Sequence, residues 1–330
     1  MAAGSKLDAG VLNMDNDRVI EAICGRLRQI LAQDLSRRGF IVAISGGIDS
    51  SVSAALCVRA VGAARVHALL LPERDSSSTS VKRGRQLAEH LGVAHEVFDI
   101  APTLEAIGCY RWRDEAIRKV FADYDGTWKN KIVISGGLEG RVNHFQLVVQ
   151  RPDGETLQAR LGLHEYLQIV AATNFKQRIR KTLEYFHADR LNYAVVGTPN
   201  RLEYDQGFFV KNGDGSADVK PIAHLYKTQV YALARHMGLP EDICEAVPTT
   251  DTYSLQQGQD EFYFALPYQQ MDLALYALNH GYPAAAVAAA LGISKEQAER
   301  VYRDIEAKRR ATRYMHLKPV LIESIPELAV

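Results

Sequence analysis

The chain has 330 residues, 47% of them hydrophobic and 24% charged, with 39 Lys plus Arg set against 39 Asp plus Glu. That composition excludes a disordered or collagen-like chain and fits one large α/β domain with appendages, or two ordinary domains. Zero net charge also excludes the overall basic footprint of a general nucleic-acid binder, leaving at most a local patch. Cys24, Cys57, Cys109 and Cys244 form no C-x-x-C pair, so neither a disulfide framework nor a zinc site of the usual spacing is expected. Residues 1–10 lack the charged start and apolar core of a signal peptide, and no apolar run reaches membrane-spanning length. These features predict a cytoplasmic chain with reduced thiols and no membrane partner.

In chain order, residues 17–38 carry Val19, Ile20, Ile23, Leu27, Ile30, Leu31 and Leu35 at helical spacing, with Gly39 placed to end the helix. Residues 40–44 form a short continuous apolar run, as in a strand buried on both faces. A Gly-rich turn at 45–48 leads into a predicted helix over 49–61. A strand at 66–71, a helix at 81–91 and a strand at 95–100 follow. After a break, a helix at 171–186, a strand at 193–197 and a helix at 227–237 resume the alternation. This order predicts a doubly wound parallel sheet with helices on both faces, binding ligands at the carboxyl ends of its strands.

Residues 101–166 interrupt that pattern and read as a β-rich insertion, with strands at 132–135, 145–149 and 156–161 and a Pro152-Asp153-Gly154 turn. Ser135-Gly136-Gly137 echoes the earlier turn, but Leu138-Glu139 follows where an Asp-Ser pair would be needed. The chain therefore divides into an N-terminal arm and helix (1–39), an α/β domain (40–100 and 167–265), the insertion, and a helical C-terminal region (266–330). In that last region, residues 287–305 turn around Gly292 like a helix-turn-helix, although helix pairs around a glycine are common without DNA.

The chemistry concentrates in Ser45-Gly46-Gly47-Ile48-Asp49-Ser50-Ser51, between a buried strand and a helix. Two glycines let backbone approach an anion closely, and the helix start aims free N–H groups and its dipole at the loop. The Ser45, Ser50 and Ser51 hydroxyls can add donors around a pyrophosphate. Asp49 would repel a phosphate unless a divalent cation bridged the two, which makes it a Mg²⁺ ligand candidate. Neither G-x-x-x-x-G-K-[ST] nor G-x-G-x-x-G is present, excluding a P-loop and a dinucleotide fingerprint of those forms.

The S-G-G-x-D-S pattern after a first strand resembles the ATP pyrophosphatase (PP-loop, adenine nucleotide alpha hydrolase-like) superfamily, whose members split ATP between the α and β phosphates. A second segment narrows the resemblance. Gly197-Thr198-Pro199-Asn200-Arg201-Leu202-Glu203, then Gly207-Phe208-Phe209-Val210-Lys211 and Gly213-Asp214-Gly215-Ser216-Ala217-Asp218, look like the NAD synthetase signature. Residues 225–230, 248–251 and 258–261 continue it in the family's order, and Asn174–Arg180 matches the family's upstream basic stretch. The resemblance spans 40–91 and 171–261 well, the C-terminal helices loosely, and the insertion hardly at all.

Beside its own chemistry, each residue takes an expectation from that resemblance. The loop residues 45–51, Thr198, Lys227 and Thr249 would bind ATP. Asp49 and Glu203 would hold Mg²⁺, and Asp49 and Lys227 would be catalytic. Lys227 opens a helix, where a cation gains nothing from the dipole, and makes better sense facing a triphosphate. Arg178, Lys211 and Asp218 match positions that bind deamido-NAD, and Asp214 could contact it too. Phe208 and Phe209 could wall a pyridine ring or belong to the core.

The family's ammonia-dependent reaction adenylates the nicotinate carboxylate of deamido-NAD and then amidates it, giving NAD, AMP and pyrophosphate. A homodimer is implied by the resemblance. Cys24 lies in a helix as a packing residue and not as a glutaminase nucleophile, so ammonia would be free or come from a separate glutaminase subunit. Three departures leave alternatives open: Gly197-Thr198-Pro199-Asn200 replaces the usual G-T-D-H, the insertion separates motifs, and the family's C-terminal H-K pair has no clean match. For that pair, Arg313 with Tyr314 and His316 with Lys318 are the candidates. The rival readings are a PP-loop ligase amidating a different carboxylic acid and a nucleotide-sensing helix-turn-helix regulator.

Overall fold

The computed structural model describes residues 7–135, 144–248, 253–255, 257–258, 263–264 and 266–328. Its helices are α1 (Asn16–Gln29), α2 (Ile48–Val61), α3 (Ser78–His90), α4 (Ala101–Ile107), α5 (Cys109–Arg118), α6 (Leu163–Leu191), α7 (Arg201–Gln206), α8 (Lys227–His236), α9 (Glu241–Cys244), α10 (Tyr268–Asn279), α11 (Ala284–Leu291) and α12 (Lys295–His316). Its strands are β1 (Phe40–Ala43), β2 (Val66–Leu70), β3 (Ala94–Val97), β4 (Lys129–Ser135), β5 (His144–Gln150), β6 (Thr156–Arg160) and β7 (Ala194–Val196).

Among the described residues, one sheet is parallel in the order β3-β2-β1-β7. Residues alternate across β1. Phe40 and Val42 pack with α1, α2 and α8 on one face, whereas Ile41 joins Leu69, Val195 and the α5–α6 pair on the other. Because both faces are covered there, β1 and β7 read as continuous apolar runs, whereas the edge strand β3 is partly exposed and carries His95 and Glu96. Going from β1, the chain moves outward to β2 and β3 and later returns to β7 on the other side of β1. The switch point therefore lies between β1 and β7, and the crevice outside their carboxyl ends is where such sheets bind ligands.

Some expectations shift. The first helix widens into a single π turn at Ile30–Asp34 and stops at Leu35, with Ser36 in the left-handed region at φ 51°. Gly39 does not end it. A Cβ there would lie 2.3 Å from the Arg65 carbonyl oxygen, so that glycine serves a close strand approach. Helix α6 is longer at both ends than the apolar spacing predicted. The 101–166 segment opens with two helices, separated at Gly108 (φ 94°), before its antiparallel β4-β5-β6 sheet. Gly154 takes φ 93° in the β5–β6 turn, as the Pro-Asp-Gly signal anticipates. The Ser-Gly-Gly echo at 136–137 lies outside the described residues. Cys24, Cys57, Cys109 and Cys244 are all free and buried, and no helix among the described residues is long and apolar enough to cross a membrane.

Candidate active site

A cavity of about 770 Å³ occupies the crevice at the switch point. Ser45, Gly46, Gly47, Ile48, Asp49 and Ser50 line it, between the end of β1 and the first turn of α2. The turn needs its first glycine: Gly46 has φ 80°, and a Cβ there would stand 2.4 Å from the Ser80 carbonyl oxygen. Hydroxyls hold the loop in shape. Ser50 Oγ donates to Gly47 O at 3.0 Å and accepts from Ser45 N at 3.3 Å. Ser51 is fully buried, donates to Gly47 O at 2.7 Å and does not line the cavity, so its hydroxyl braces the loop from behind. Gly46→Ala is expected to lower stability by about 1–3 kcal/mol through backbone strain. It should also weaken pyrophosphate binding about tenfold or more, because anion capture here depends on backbone N–H placement. Urea unfolding and titration calorimetry check both, and unchanged pyrophosphate affinity would count against the loop as an anion site.

Three elements bring charge to the loop's edge. Asp49 comes from α2, Glu203 from α7 and Lys227 from the first position of α8. Lys227, only 2% exposed, pairs with Asp49 and stands 3.8 Å from Glu203 Oε1. Burial alone would push the ammonium down, but Asp49 and Glu203 overcome that and hold it above the ordinary lysine range. Two carboxylates thus converge on one buried cation, a donor set that suits a hard divalent ion.

Asn200 ties these groups together. It is fully buried, caps α7 by accepting from Glu203 N at 3.2 Å, and donates to Asp49 Oδ1 at 3.0 Å. Asn200 N in turn donates to Glu203 Oε2 at 3.2 Å, completing a capping box. The N-x-x-E spacing was a readable signal for that box, whereas the bond to Asp49 has no sequence signature.

Asp272 of α10 is a functional neighbour that sequence reasoning missed. Its Oδ2 accepts from Thr228 N and Oγ1, both at 2.7 Å, which fixes the start of α8 beside Lys227. Its Oδ1 is buried without a hydrogen-bond partner among the described residues. Burial pushes this carboxyl up to about 6, against the Thr228 bonds and Lys227, which pull it down. A carboxyl raised on folding favours the native state at low pH and loses that contribution as pH climbs from about 4 through 6. Asp272→Asn should therefore be stabilising relative to the parent by about 1–3 kcal/mol at pH 8 and much less so at pH 4.5. Denaturant unfolding at the two pH values reads this directly, and a difference independent of pH contradicts it.

Along the cavity's far side runs α6, presenting Arg178, Lys181 and Glu184. Arg178 Nε donates to Lys211 O at 3.2 Å, and Lys211 Nζ donates to Tyr314 O at 2.8 Å. Asp214 also lines the cavity; its Oδ1 accepts from Val210 N at 2.8 Å, and burial pushes its carboxyl up. Asp218 lies apart from the lining, accepting from Val195 N at 2.7 Å and Tyr185 Oη at 3.3 Å, and so pins the edge of β7. Thr198 lines the cavity, and Thr249 lies outside the described residues. Phe208 and Phe209 are both wall and packing. Phe208 stacks on Tyr263 at 4.6 Å between centroids, and Phe209 lies edge-on to His316 at 5.1 Å.

The C-terminal helix closes this site. Lys308, Thr312 and Tyr314 of α12 line the cavity, whereas His316 packs against Tyr204 and Phe209. On the same helix Lys308 pairs with Asp304 at 2.5 Å and Arg309 with Asp205 at 2.6 Å, so both cations are neutralised within the protein. Also unforeseen is the buried ionic network behind the β2–α3 loop. Lys176 meets Glu73 at 3.0 Å and Asp75 at 2.6 Å, and Arg113 meets Asp75 at 2.6 Å, tying α5 and α6 to that loop.

The chain is similar to several known proteins. A family model described as NAD synthase matches residues 19–123 and 152–313. The NH(3)-dependent NAD(+) synthetase of Rhizobium meliloti (strain 1021) is 56% identical over 313 residues, covering 94% of this chain and 92% of that one. The protein of the same name from Mesorhizobium japonicum is 54% identical over 318 residues, covering 96% and 100%. Among solved structures, NMN synthetase from Francisella tularensis superposes with a TM-score of 0.65 at 22% identity, over 95% of this chain and 100% of that one, which shows a shared fold.

Proposed function

The chain belongs to the NAD synthase family, and from that premise we propose that it is an ammonia-dependent NAD synthetase, a ligase that forms a C–N bond. The observation that carries the reading is the similarity, at 56% identity over nearly the whole chain, to a synthetase of that name. The convergence of the Gly-rich loop, Asp49, Glu203 and Lys227 on one cavity supports it.

A carboxylate is a poor electrophile with a poor leaving group, and adenylation remedies both. The nicotinate carboxylate oxygen of deamido-NAD attacks the α-phosphorus of ATP, and the Pα–O bond to the β-phosphate breaks to release pyrophosphate. Ammonia then attacks the acyl carbon, AMP leaves with the C–O electron pair, and one ammonia proton passes to solvent as the amide forms. No side-chain nucleophile is needed. The residues position the reactants and neutralise charge. Loop amides of 46–48 hold the departing pyrophosphate, and Lys227 balances developing charge beside it. Asp49 and Glu203 would hold Mg²⁺, which when bound supplies charge neutralisation for the phosphates. Asn200 and Asp272 act as positioning residues for these groups. Arg178, Lys211 and Asp214 would hold deamido-NAD, and Thr198 would contact ATP. We extend the reading to a homodimer, supported by the exposed Leu163 and Leu167 on the first turns of α6, and to a cytoplasmic location.

The test is a turnover screen with Mg-ATP, ammonium and a panel of carboxylic acids, followed by AMP formation. AMP should appear only with deamido-NAD and ammonium together, in step with NAD. AMP formation with another acid and none with deamido-NAD would favour the ligase for a different carboxylate, and salt-sensitive duplex DNA binding would favour the regulator.

A further inference from the structure

We propose that His67, Glu96 and His187 form a zinc site that clasps the edge of the parallel sheet to the C-terminal end of α6. The site is distinct from the Asp49–Glu203 pair, and none of its three residues lines the cavity. His67 stands near the start of β2, Glu96 in β3 and His187 close to the end of α6. Glu96 is the register partner of Leu69, and side chains two residues apart share a face, so His67, Leu69 and Glu96 all point the same way. That face is the one α6 covers, since Leu69 is buried in one cluster with Ala188. Three separate elements thus deliver one ligating side chain each to the end of the sheet opposite the cavity.

The geometry suits a small tetrahedral ion. One ligand atom from each residue lies within 4.8 Å of the other two. Glu96 Oε1 is 2.9 Å from His67 Nε2 and 3.6 Å from His187 Nδ1. Around zinc, with bonds of about 2.0–2.1 Å, ligand atoms stand about 3.4 Å apart, so movements on the order of 1 Å seat the ion. Two imidazoles and a carboxylate are a donor set that zinc takes readily and Mg²⁺ does not, with water in the fourth position.

The histidine tautomer points the same way. Arg190 Nη2 bonds Glu96 Oε1 and His187 Nδ1, both at 2.9 Å. An arginine only donates, so His187 Nδ1 turns its lone pair to the cluster and carries its proton on Nε2. That Nε2 is buried without a hydrogen-bond partner among the described residues, in a side chain 3% exposed. Leaving a buried N–H unpaired is costly, and what it secures is a lone pair beside Glu96 and His67. Neighbouring rings fix the imidazole: His67 stacks on it at 5.8 Å between centroids, and Phe98 and Phe186 pack at 5.1 Å. Arg190 is the cation that a metal would replace. Its side chain is 46% exposed and free to swing into solvent, and Glu96, 40% exposed, leaves a path of entry. The end of the α6 dipole favours positive charge here in either state.

The experiment strips the full chain with a chelator, adds excess Mg²⁺ to fill the Asp49–Glu203 pair, and titrates zinc chloride by calorimetry. The parent should bind one zinc per chain, and so should Asp49→Asn, which separates this site from the cavity. Glu96→Gln and His187→Gln should weaken binding at least about tenfold. Arg190→Gln should tighten it about tenfold, because a unit positive charge beside the ion is gone. Cobalt(II) in place of zinc should give the visible absorption of a four-coordinate site in the parent and lose it in Glu96→Gln. Glu96 and Arg190 are half-exposed, so their variants keep the test intact even where His187→Gln fails to fold; a thermal melt without metal checks each. No zinc bound by the parent or by Arg190→Gln overturns the site. So does zinc bound as tightly by Glu96→Gln as by the parent, or no more tightly by Arg190→Gln, since those results mark an ion-pair cluster that only pins β3 to α6. None of these outcomes depends on which carboxylic acid the chain amidates.

Discussion

Replacing Asp49 with Asn is expected to lower AMP formation at least about 10³-fold, because in the proposed mechanism its carboxylate would hold a divalent cation at the reacting phosphates, a role a neutral amide cannot match. The fold should survive. Asn has the same size, and Asn200 can turn its amide to donate or accept where Asp49 Oδ1 stood. Lys227 keeps Glu203 at 3.8 Å as a partner. The measurement is single-turnover AMP and pyrophosphate release with saturating deamido-NAD and ammonium, alongside a thermal melt. Turnover near the parent rate in a folded variant would remove Asp49 from the metal assignment.

Lys227→Met should be worse for the fold. The ammonium is 2% exposed and is shared by two largely buried carboxylates, so its loss leaves Asp49 and Glu203 facing each other unbalanced. Removing one member of a buried ionic set costs about 3–5 kcal/mol. Millimolar Mg²⁺ should recover part of that loss by supplying the missing positive charge between the same oxygens. Turnover should fall about 10²–10⁴-fold and stay low at any Mg²⁺ concentration, since charge balance at the departing pyrophosphate is lost. Lys227→Arg should recover stability better than rate, because a planar guanidinium does not occupy the place of a compact ammonium. Denaturant unfolding with and without Mg²⁺ separates these effects. A methionine variant as stable as the parent would show that the two carboxylates do not depend on Lys227.

Much of the candidate site's framework was legible because it is local. Strands buried on both faces leave short apolar runs, which is why β1, β2 and β7 stand out, and the Ser-Gly-Gly turn is a backbone requirement written in adjacent residues. What escaped notice depends on partners far away in sequence. Helix α6 buries Lys176, Lys181, Glu184 and His187, so its apolar period is broken although the helix runs unbroken. Those charges are tolerated because Glu73 and Asp75 reach Lys176 from about 100 residues earlier. Arg113 likewise hid α5 within a stretch read as β-rich. Ser51 looked like a further donor to the anion, but its hydroxyl, one helical turn beyond Gly47, bonds back to that carbonyl. Asn200 entered the sequence reading as a departure from the family pattern, and its bond to Asp49 makes it a bridge within the site.

The most direct test of the account is a crystal structure of the chain with Mg²⁺ and an α,β-methylene analogue of ATP. Its β- and γ-phosphate oxygens should lie about 2.7–3.2 Å from the backbone nitrogens of residues 46–48, with the metal shared by Asp49 and Glu203. An analogue bound elsewhere in the cavity, with those nitrogens facing only solvent, would contradict it.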